Sequence, residues 1–260
     1  MNKAKNKYLS FFQIIIAPVF VLLLWLAVTE AGVVNTNILP SPVKVVKTFG
    51  ALIESGKLWK NLSTSFFRVL KGFALGAVSG IFIGTAMGLS GSMNKILSSL
   101  VGILRPIPMI AWIPMLILWL GIGEKSKVAV IFIGTFWPVL LNTITGILSV
   151  DGKLLEVATV LEKSRLEVLG KVVMPSATPS IITGVRLGFG TAWTCVVAAE
   201  MIAASSGIGY MITYARELSQ PDVVLAGVFT IGIVGLLIDA GLLRLQKKLL
   251  RWNYLRDERK

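Results

Sequence analysis

Long apolar runs separated by short polar stretches make up most of the chain. Six runs are close to the roughly 20 residues that cross a ~30 Å hydrocarbon core: Phe11–Val28, Phe73–Leu89, Ile96–Leu120, Val128–Leu148, Ile181–Ala204 and Val223–Leu243. The pattern predicts an all-α membrane protein with six transmembrane helices. The first run follows Lys3, Lys5 and Lys7 as a signal peptide would, but it is too long for a signal core and has no clean small-residue cleavage site. It is therefore expected to stay as a first span.

The residues between and within these runs add detail. Between the first two spans, Leu39-Pro40-Ser41-Pro42 ends one element, and Ser41 can cap a helix with Pro42 at its first position. That helix, about Pro42–Ser55, is amphipathic, should stop near Gly56, and is expected at the membrane interface. The second span carries glycine at every fourth position: Gly72, Gly76, Gly80, Gly84 and Gly88. Such a stripe lets another backbone approach closely, either within the subunit or at a sliding or dimer surface. In the third span Arg105, Pro106, Pro108 and Pro114 predict a bent helix, because each internal proline removes a hydrogen bond. The bend serves packing or a gate, with Trp112 beside it. Trp137-Pro138 and Asn142 are a milder version in the fourth span.

Composition agrees with the membrane reading: 55% of residues are hydrophobic and 15% charged, with mean hydropathy +0.79. There is no histidine and one cysteine, Cys195, which excludes an internal disulfide and imidazole chemistry and leaves the thiol as a packing residue. The formal net charge is +13. With both termini inside, the inner segments hold the larger share of lysine and arginine, the orientation that the positive-inside rule favours. The basic C-terminal tail then faces anionic lipid rather than nucleic acid. No Gly-x-x-x-x-Gly-Lys-Ser/Thr phosphate loop is present, so any ATP hydrolysis belongs to a partner, and the chain is not expected to be an enzyme.

Few ionisable residues fall at membrane depth: Arg105, Arg186 and Asp239, with Glu200 nearer the outer face. An unpaired charge there is costly, so partners are expected. Asp239 can pair with one arginine as a structural ion pair, Arg186 being the nearer in depth. The other arginine could then favour an anion in a pathway. An intramembrane lipid-modifying enzyme would need more polar chemistry and a nucleophile. An ion-driven secondary transporter would bring further carboxylates and an internal repeat.

The main cytoplasmic excursion is the loop 149–179. Leu154, Val157, Ala158 and Leu161 recur at helical spacing after Asp151, a second short helix is expected over Arg165–Val173, and Met174-Pro175 should close it. The loop resembles the EAA loop of ATP-binding-cassette importer permeases: Glu156, Val157 and Ala158, then Glu162 at the family's glycine position, then Val172, Met174 and Pro175 at matching spacings. The likeness extends to Leu39-Pro40-Ser41-Pro42, Arg68 with Gly72, Arg105-Pro106-Ile107-Pro108, the Leu118–Gly123 stretch, Ala199-Glu200-Met201 with Gly207-Ile208-Gly209-Tyr210, and Arg251-Trp252. It covers about residues 38–253 and points to the nitrate, sulfonate and taurine branch.

The resemblance implies a type I importer permease core formed by the last five helices, the first being an addition. It divides the chain into residues 1–34 (tail and first span), 35–71 (extracytoplasmic segment), 72–250 (core) and 251–260 (basic tail). It implies a multi-pass protein of the cell membrane acting as a homodimer with two cytoplasmic ATPase subunits and an extracytoplasmic solute-binding protein. This chain would bind no cofactor, ATP and Mg belonging to the ATPase, and no metal. Glu156, Val157, Ala158, Leu161, Glu162, Met174 and Pro175 would couple to the ATPase. Arg105, Pro106, Pro108, Trp112, Arg186 and Glu200 are candidates for the pathway or its gate. The solute would be a small anion, an aliphatic sulfonate or taurine, with nitrate or a vitamin precursor such as a pyrimidine as the alternative. Glutamate in place of glycine at Glu162 is expected to prolong the coupling helix.

Overall fold

The computed structural model describes residues 2–250, with side chains from Ile16 onward. Residues 251–260, which include Arg251-Trp252 and the basic tail, lie outside the described residues, as do the side chains of residues 11–15 at the start of the first apolar run. The described chain is helical, in the order α1 (Asn2–Glu30), α2 (Pro42–Glu54), α3 (Lys57–Leu89), α4 (Gly91–Leu104), α5 (Met109–Leu120), α6 (Glu124–Leu148), α7 (Gly152–Val160), α8 (Arg165–Val168), α9 (Met174–Ala203), α10 (Ile208–Glu217) and α11 (Pro221–Leu249). Among the described residues four helices are long and apolar enough to cross a membrane, or five when the bent pair α4–α5 counts as one span.

The chain divides into two compact units. One comprises residues up to Asn61 with Met211–Ile231. In it the Trp25 Nε1–H donates to the Pro40 carbonyl at 3.1 Å and the Trp25 ring stacks on Phe229. Ser41 caps α2 by accepting from the Lys44 N–H, Pro42 occupies the first turn, and Gly56 adopts φ +70° just past the end of α2. A 2.6 Å hydrogen bond from Thr48 Oγ1 to the Asp222 carboxylate fastens α2 to the start of α11.

The other unit holds Leu62–Tyr210 and the described residues from Gly232. At its centre α6 is flanked by glycines on two sides. A β-carbon at Gly76 would come within 2.7 Å of Thr135 Cβ and of the Phe132 carbonyl, and one at Gly84 within 2.8 Å of Thr143 Cβ. Gly72, Gly80 and Gly88 meet Ile131, Val139 and Ile147 in the same way. The stripe is thus filled by α6 of the same chain, not free for a sliding or dimer surface. From α9, Gly184 and Gly188 approach Asn142 and Val139 just as closely. Such contacts replace the hydrophobic drive that lipid does not supply.

Three expected elements differ. The second span extends back to Lys57 rather than starting near Phe73. Its first turns are polar, yet Ser65 and Arg68 are buried against partners from distant segments.

The third span is not one bent helix. α4 and α5 meet at 97° across Arg105–Pro108. Pro106 and Pro108 lack N–H donors; Arg105 is still helical at φ −58°, ψ −42°, and the chain leaves the helix before Pro108, which is extended at ψ 137°. Single prolines inside α1, α5, α6 and α9 leave those helices continuous.

The short helix after the cytoplasmic turn is not closed by Met174-Pro175. Instead α8 passes through a π-helical turn, Leu169–Val173, directly into α9. A proline ring collides with the carbonyl four residues back, here that of Lys171, and the widened turn containing Lys171 makes room for Pro175.

Candidate functional site

Functional candidates fall in three places. The first is the loop carrying α7. Asp151 caps the helix by accepting from the Lys153 N–H at 3.0 Å. Leu154, Val157, Val160 and Leu161 are all exposed, as is Glu156, while Ala158 is buried. The helix ends where the resembled glycine would stand. Glu162 adopts φ +48°, its N–H bonds to the Thr159 carbonyl at 3.0 Å, and the Lys163 N–H reaches back to the Ala158 carbonyl at 3.1 Å. This is a Schellman cap built on glutamate. The expectation that Glu162 prolongs the helix is therefore corrected: the turn is kept, and a side chain occupies a left-handed position that glycine takes without strain. Beyond it Ser164 and Glu167 form a reciprocal capping box, and Lys171 holds Glu167 at 3.0 Å. Met174 packs on the cluster of Ile147, Val173, Ala177 and Ile181, while Pro175 is exposed.

The second place is a buried knot of charge. Arg68, 3% exposed, donates Nη1–H to Glu200 Oε1 at 2.8 Å and to the Ser206 carbonyl at 2.6 Å. Its Nε–H donates to Glu124 at 2.8 Å and its Nη2–H to Ser206 Oγ at 3.0 Å. Glu200, 1% exposed, also accepts from the Ser65 hydroxyl and, at 3.0 Å, from the Gly209 N–H. The Ile208 N–H donates to Ser65 Oγ at 2.9 Å. A β-carbon at Gly207 would overlap the Glu200 carboxylate, and one at Gly209 would meet the Val197 carbonyl and Glu200 Cβ. Glu200 is thus enclosed, its carboxylate held by Arg68, Ser65 and the Gly209 N–H. Buried charges persist only when paired and hydrogen-bonded, which this arrangement achieves. Sequence reasoning did not assign roles to Ser65, Glu124, Lys127 or Ser206. The clue was the recurrence of Arg68, Glu200, Gly207 and Gly209 among the resembled motifs.

The third place is a groove between α5, α6 and α9. One cavity of about 400 Å³ is lined by Met109, Ile113, Val130, Trp137, Thr194 and Cys195 among others. A second of about 500 Å³ is lined by Ile117, Ile122, Gly123, Lys127, Ile202 and Ser205 with the intervening alanines. Ile113 and Ile117, Val130 and Lys127, and Ala198 and Ile202 are successive turns of the same three helices, so the two cavities lie about one turn apart along them. The Trp112 and Trp137 indole N–H groups are buried without an acceptor among the described residues.

The remaining candidates separate. Arg186 holds Asp239 through two parallel 2.9 Å hydrogen bonds. Arg105 stands exposed at the α4–α5 break with Pro106 and Pro108, and no ion pair involves it among the described residues. No cluster of three or more metal-ligating residues occurs among the described residues.

The family model described as "Binding-protein-dependent transport system inner membrane component" matches residues 76–251. The chain is 41% identical to a putative aliphatic sulfonates transport permease of Bacillus subtilis, over 97% of this chain and 91% of that one. It is 36% identical to the taurine transport system permease of Escherichia coli, over 89% and 86%. Among solved structures, a chain of the MetNI methionine ABC transporter in an inward-facing conformation superposes with TM-score 0.61 at 18% identity, covering 74% of this chain and 94% of that one. At that identity the likeness shows a shared fold.

Proposed function

The chain belongs to the binding-protein-dependent transport inner membrane components, and from that premise we propose that it forms the membrane pathway of an ATP-driven importer of small organic anions, aliphatic sulfonates or taurine. It is a multi-pass membrane protein of the permease type, which is not itself an enzyme. The substrate reading rests on the sulfonate and taurine permeases to which it is similar across nearly its whole length.

In this reading both termini are cytoplasmic, two copies enclose the pathway, two ATPase subunits drive it, and a binding protein delivers the solute from outside. The observation that carries the coupling role is α7: a capped nine-residue helix whose leucines and valines are exposed beside Glu156. Such a face gains stability when a groove on another protein covers it. Past the turn at Glu162, α8 runs through the π-helical turn into α9 as one unbroken helix, so a displacement of α7 reaches a span through the short Leu161–Ser164 link. ATP then biases a two-state arrangement through α7, each state opening the cleft to one side.

Within the spans, Arg186 is neutralised by Asp239, whereas Arg105 sits at a helix break whose freed carbonyls and charge suit a passage. Met174 and Pro175 act by starting α9 rather than by touching a partner.

The test is growth and labelled uptake in a strain lacking this gene. Taurine or an alkanesulfonate is the sole sulphur source in one arm and nitrate the sole nitrogen source in another. Loss of sulfonate growth and uptake alone is expected. Unimpaired growth on both sulfonates, with uptake unchanged, would overturn the substrate reading.

A further inference from the structure

We infer that Lys127 and the uncapped start of α6 form a subsite for the anionic group of the transported solute, and that the neighbouring apolar cavity takes the solute's carbon chain. The inference rests on the proposal that the importer carries sulfonates, and it names where this chain meets them.

Lys127 is 4% exposed, yet its ammonium has a single weak contact among the described residues, 3.4 Å to Glu124 Oε1. Glu124 is committed elsewhere, since both of its oxygens accept from the Arg68 guanidinium. An ammonium offers three donors, so a buried lysine with one long contact has capacity left. Lys127 lines the 500 Å³ cavity together with Gly123. Gly123 is the N-cap of α6, and no side chain caps that 25-residue helix. The positive dipole end of a long helix favours an anion; the Glu124 carboxylate in its first turn is turned to Arg68, and Gly123 at that end lines the same cavity as the buried Lys127.

The cavity's other walls are Ile117, Ile122, Ile202, two alanines and Ser205, and the neighbouring cavity one turn further along α5, α6 and α9 is almost wholly apolar. A charged subsite beside an apolar cavity fits a sulfonate head on a short carbon chain. Bare nitrate would leave the apolar cavity unfilled. In the orientation proposed above, the start of α6 is at the outer face, where the solute arrives.

The bland alternative is that Lys127 only balances charge, offsetting Glu124 and Glu200 against Arg68. Substitutions separate the two. The assembled importer, with its ATPase and binding protein in proteoliposomes, is supplied with labelled ethanesulfonate. We expect Lys127→Met to lower uptake per assembled complex about tenfold or more, the scale of losing one charge-assisted hydrogen bond, and Lys127→Arg to restore most of it. The double variant Lys127→Met with Glu124→Gln restores charge balance and should still transport poorly. Ser205→Asp, at an exposed position on the cavity wall, should raise the ethanesulfonate concentration for half-maximal uptake several-fold without altering the amount of folded complex, and it decides the matter if Lys127→Met fails to assemble. Wild-type uptake in Lys127→Met, recovery in the double variant, or an unchanged Ser205→Asp would overturn the subsite. Absence of ethanesulfonate and taurine uptake by the wild-type importer would instead overturn the substrate reading, and the subsite with it.

Discussion

Gly207 lies against the Glu200 carboxylate so closely that a β-carbon at Gly207 would overlap both carboxylate oxygens. The backbone there has φ +110°, which side-chain-bearing residues rarely adopt, so steric and conformational costs add. Gly207→Ala should lower stability by about 2 kcal/mol or more. The check is the thermal transition of the purified protein in detergent, where an unchanged midpoint would contradict the packing described.

Arg68 and Glu200 depend on each other. Removing one member of a buried pair leaves an uncompensated charge, at about 3–5 kcal/mol, whereas replacing both with apolar residues is far less costly. Arg68→Met and Glu200→Met should each reduce the folded fraction sharply, and the double variant should recover part of the loss. Recovery measures their coupling directly, and simple additivity of the two losses would argue against a shared network.

Little of that knot was legible in the sequence, although most of the fold was. The apolar runs announced the spans because lipid imposes their length, and Pro106 with Pro108 announced a disruption because proline's missing donor is a local property. The severity of the break depended on two prolines acting across four residues. Ser65 and Arg68 fall before the second apolar run because their stretch is polar. Their burial depends on Glu124 and Glu200, 56 and 132 positions further along from Arg68, and no local pattern encodes that meeting. Glu162 misled for a related reason: propensity favours continuing the helix, but the Ala158 and Thr159 carbonyls are satisfied by turning.

At Glu162 the strain can be measured. A non-glycine residue in the left-handed region costs about 1 kcal/mol relative to glycine. Glu162→Gly should therefore be tolerated, with uptake at wild-type level and equal or higher thermal stability. Glu162→Val, whose branched β-carbon is poorly accommodated at positive φ, should lower both. Loss of uptake in Glu162→Gly would mean that the carboxylate itself acts in the loop.

The glycine stripe predicts a graded response. Gly76→Val would drive a branched side chain into the Phe132 carbonyl and Thr135, both on the central helix, and separate α3 from α6. Little folded protein should reach the membrane, as judged by size-exclusion of detergent extracts. Gly76→Ala should be milder but still destabilising by about 1–3 kcal/mol, since backbone is among the atoms met. A monodisperse Gly76→Val protein of normal stability would sink this account of the α3–α6 contact.

Glu156 tests whether α7 transmits the work of ATP. Its side chain is exposed on a helix whose Leu154, Val157 and Val160 are also exposed among the described residues. A charge reversal there leaves the core packing untouched, so Glu156→Lys should give normal amounts of folded protein with an unchanged thermal transition. A docking groove that accepts a carboxylate repels an ammonium, and losing one partner of an interfacial charge pair costs about 2–5 kcal/mol. Uptake should accordingly fall by about two orders of magnitude. Co-purification of the ATPase subunits with the permease should weaken in parallel, most steeply at low ionic strength, where charge repulsion is least screened. If Glu156→Lys instead transports and retains the ATPase as the wild type does, α7 is not the contact through which ATP acts. The unbroken run from α8 through the π-helical turn into α9 would then connect to some other part of the loop.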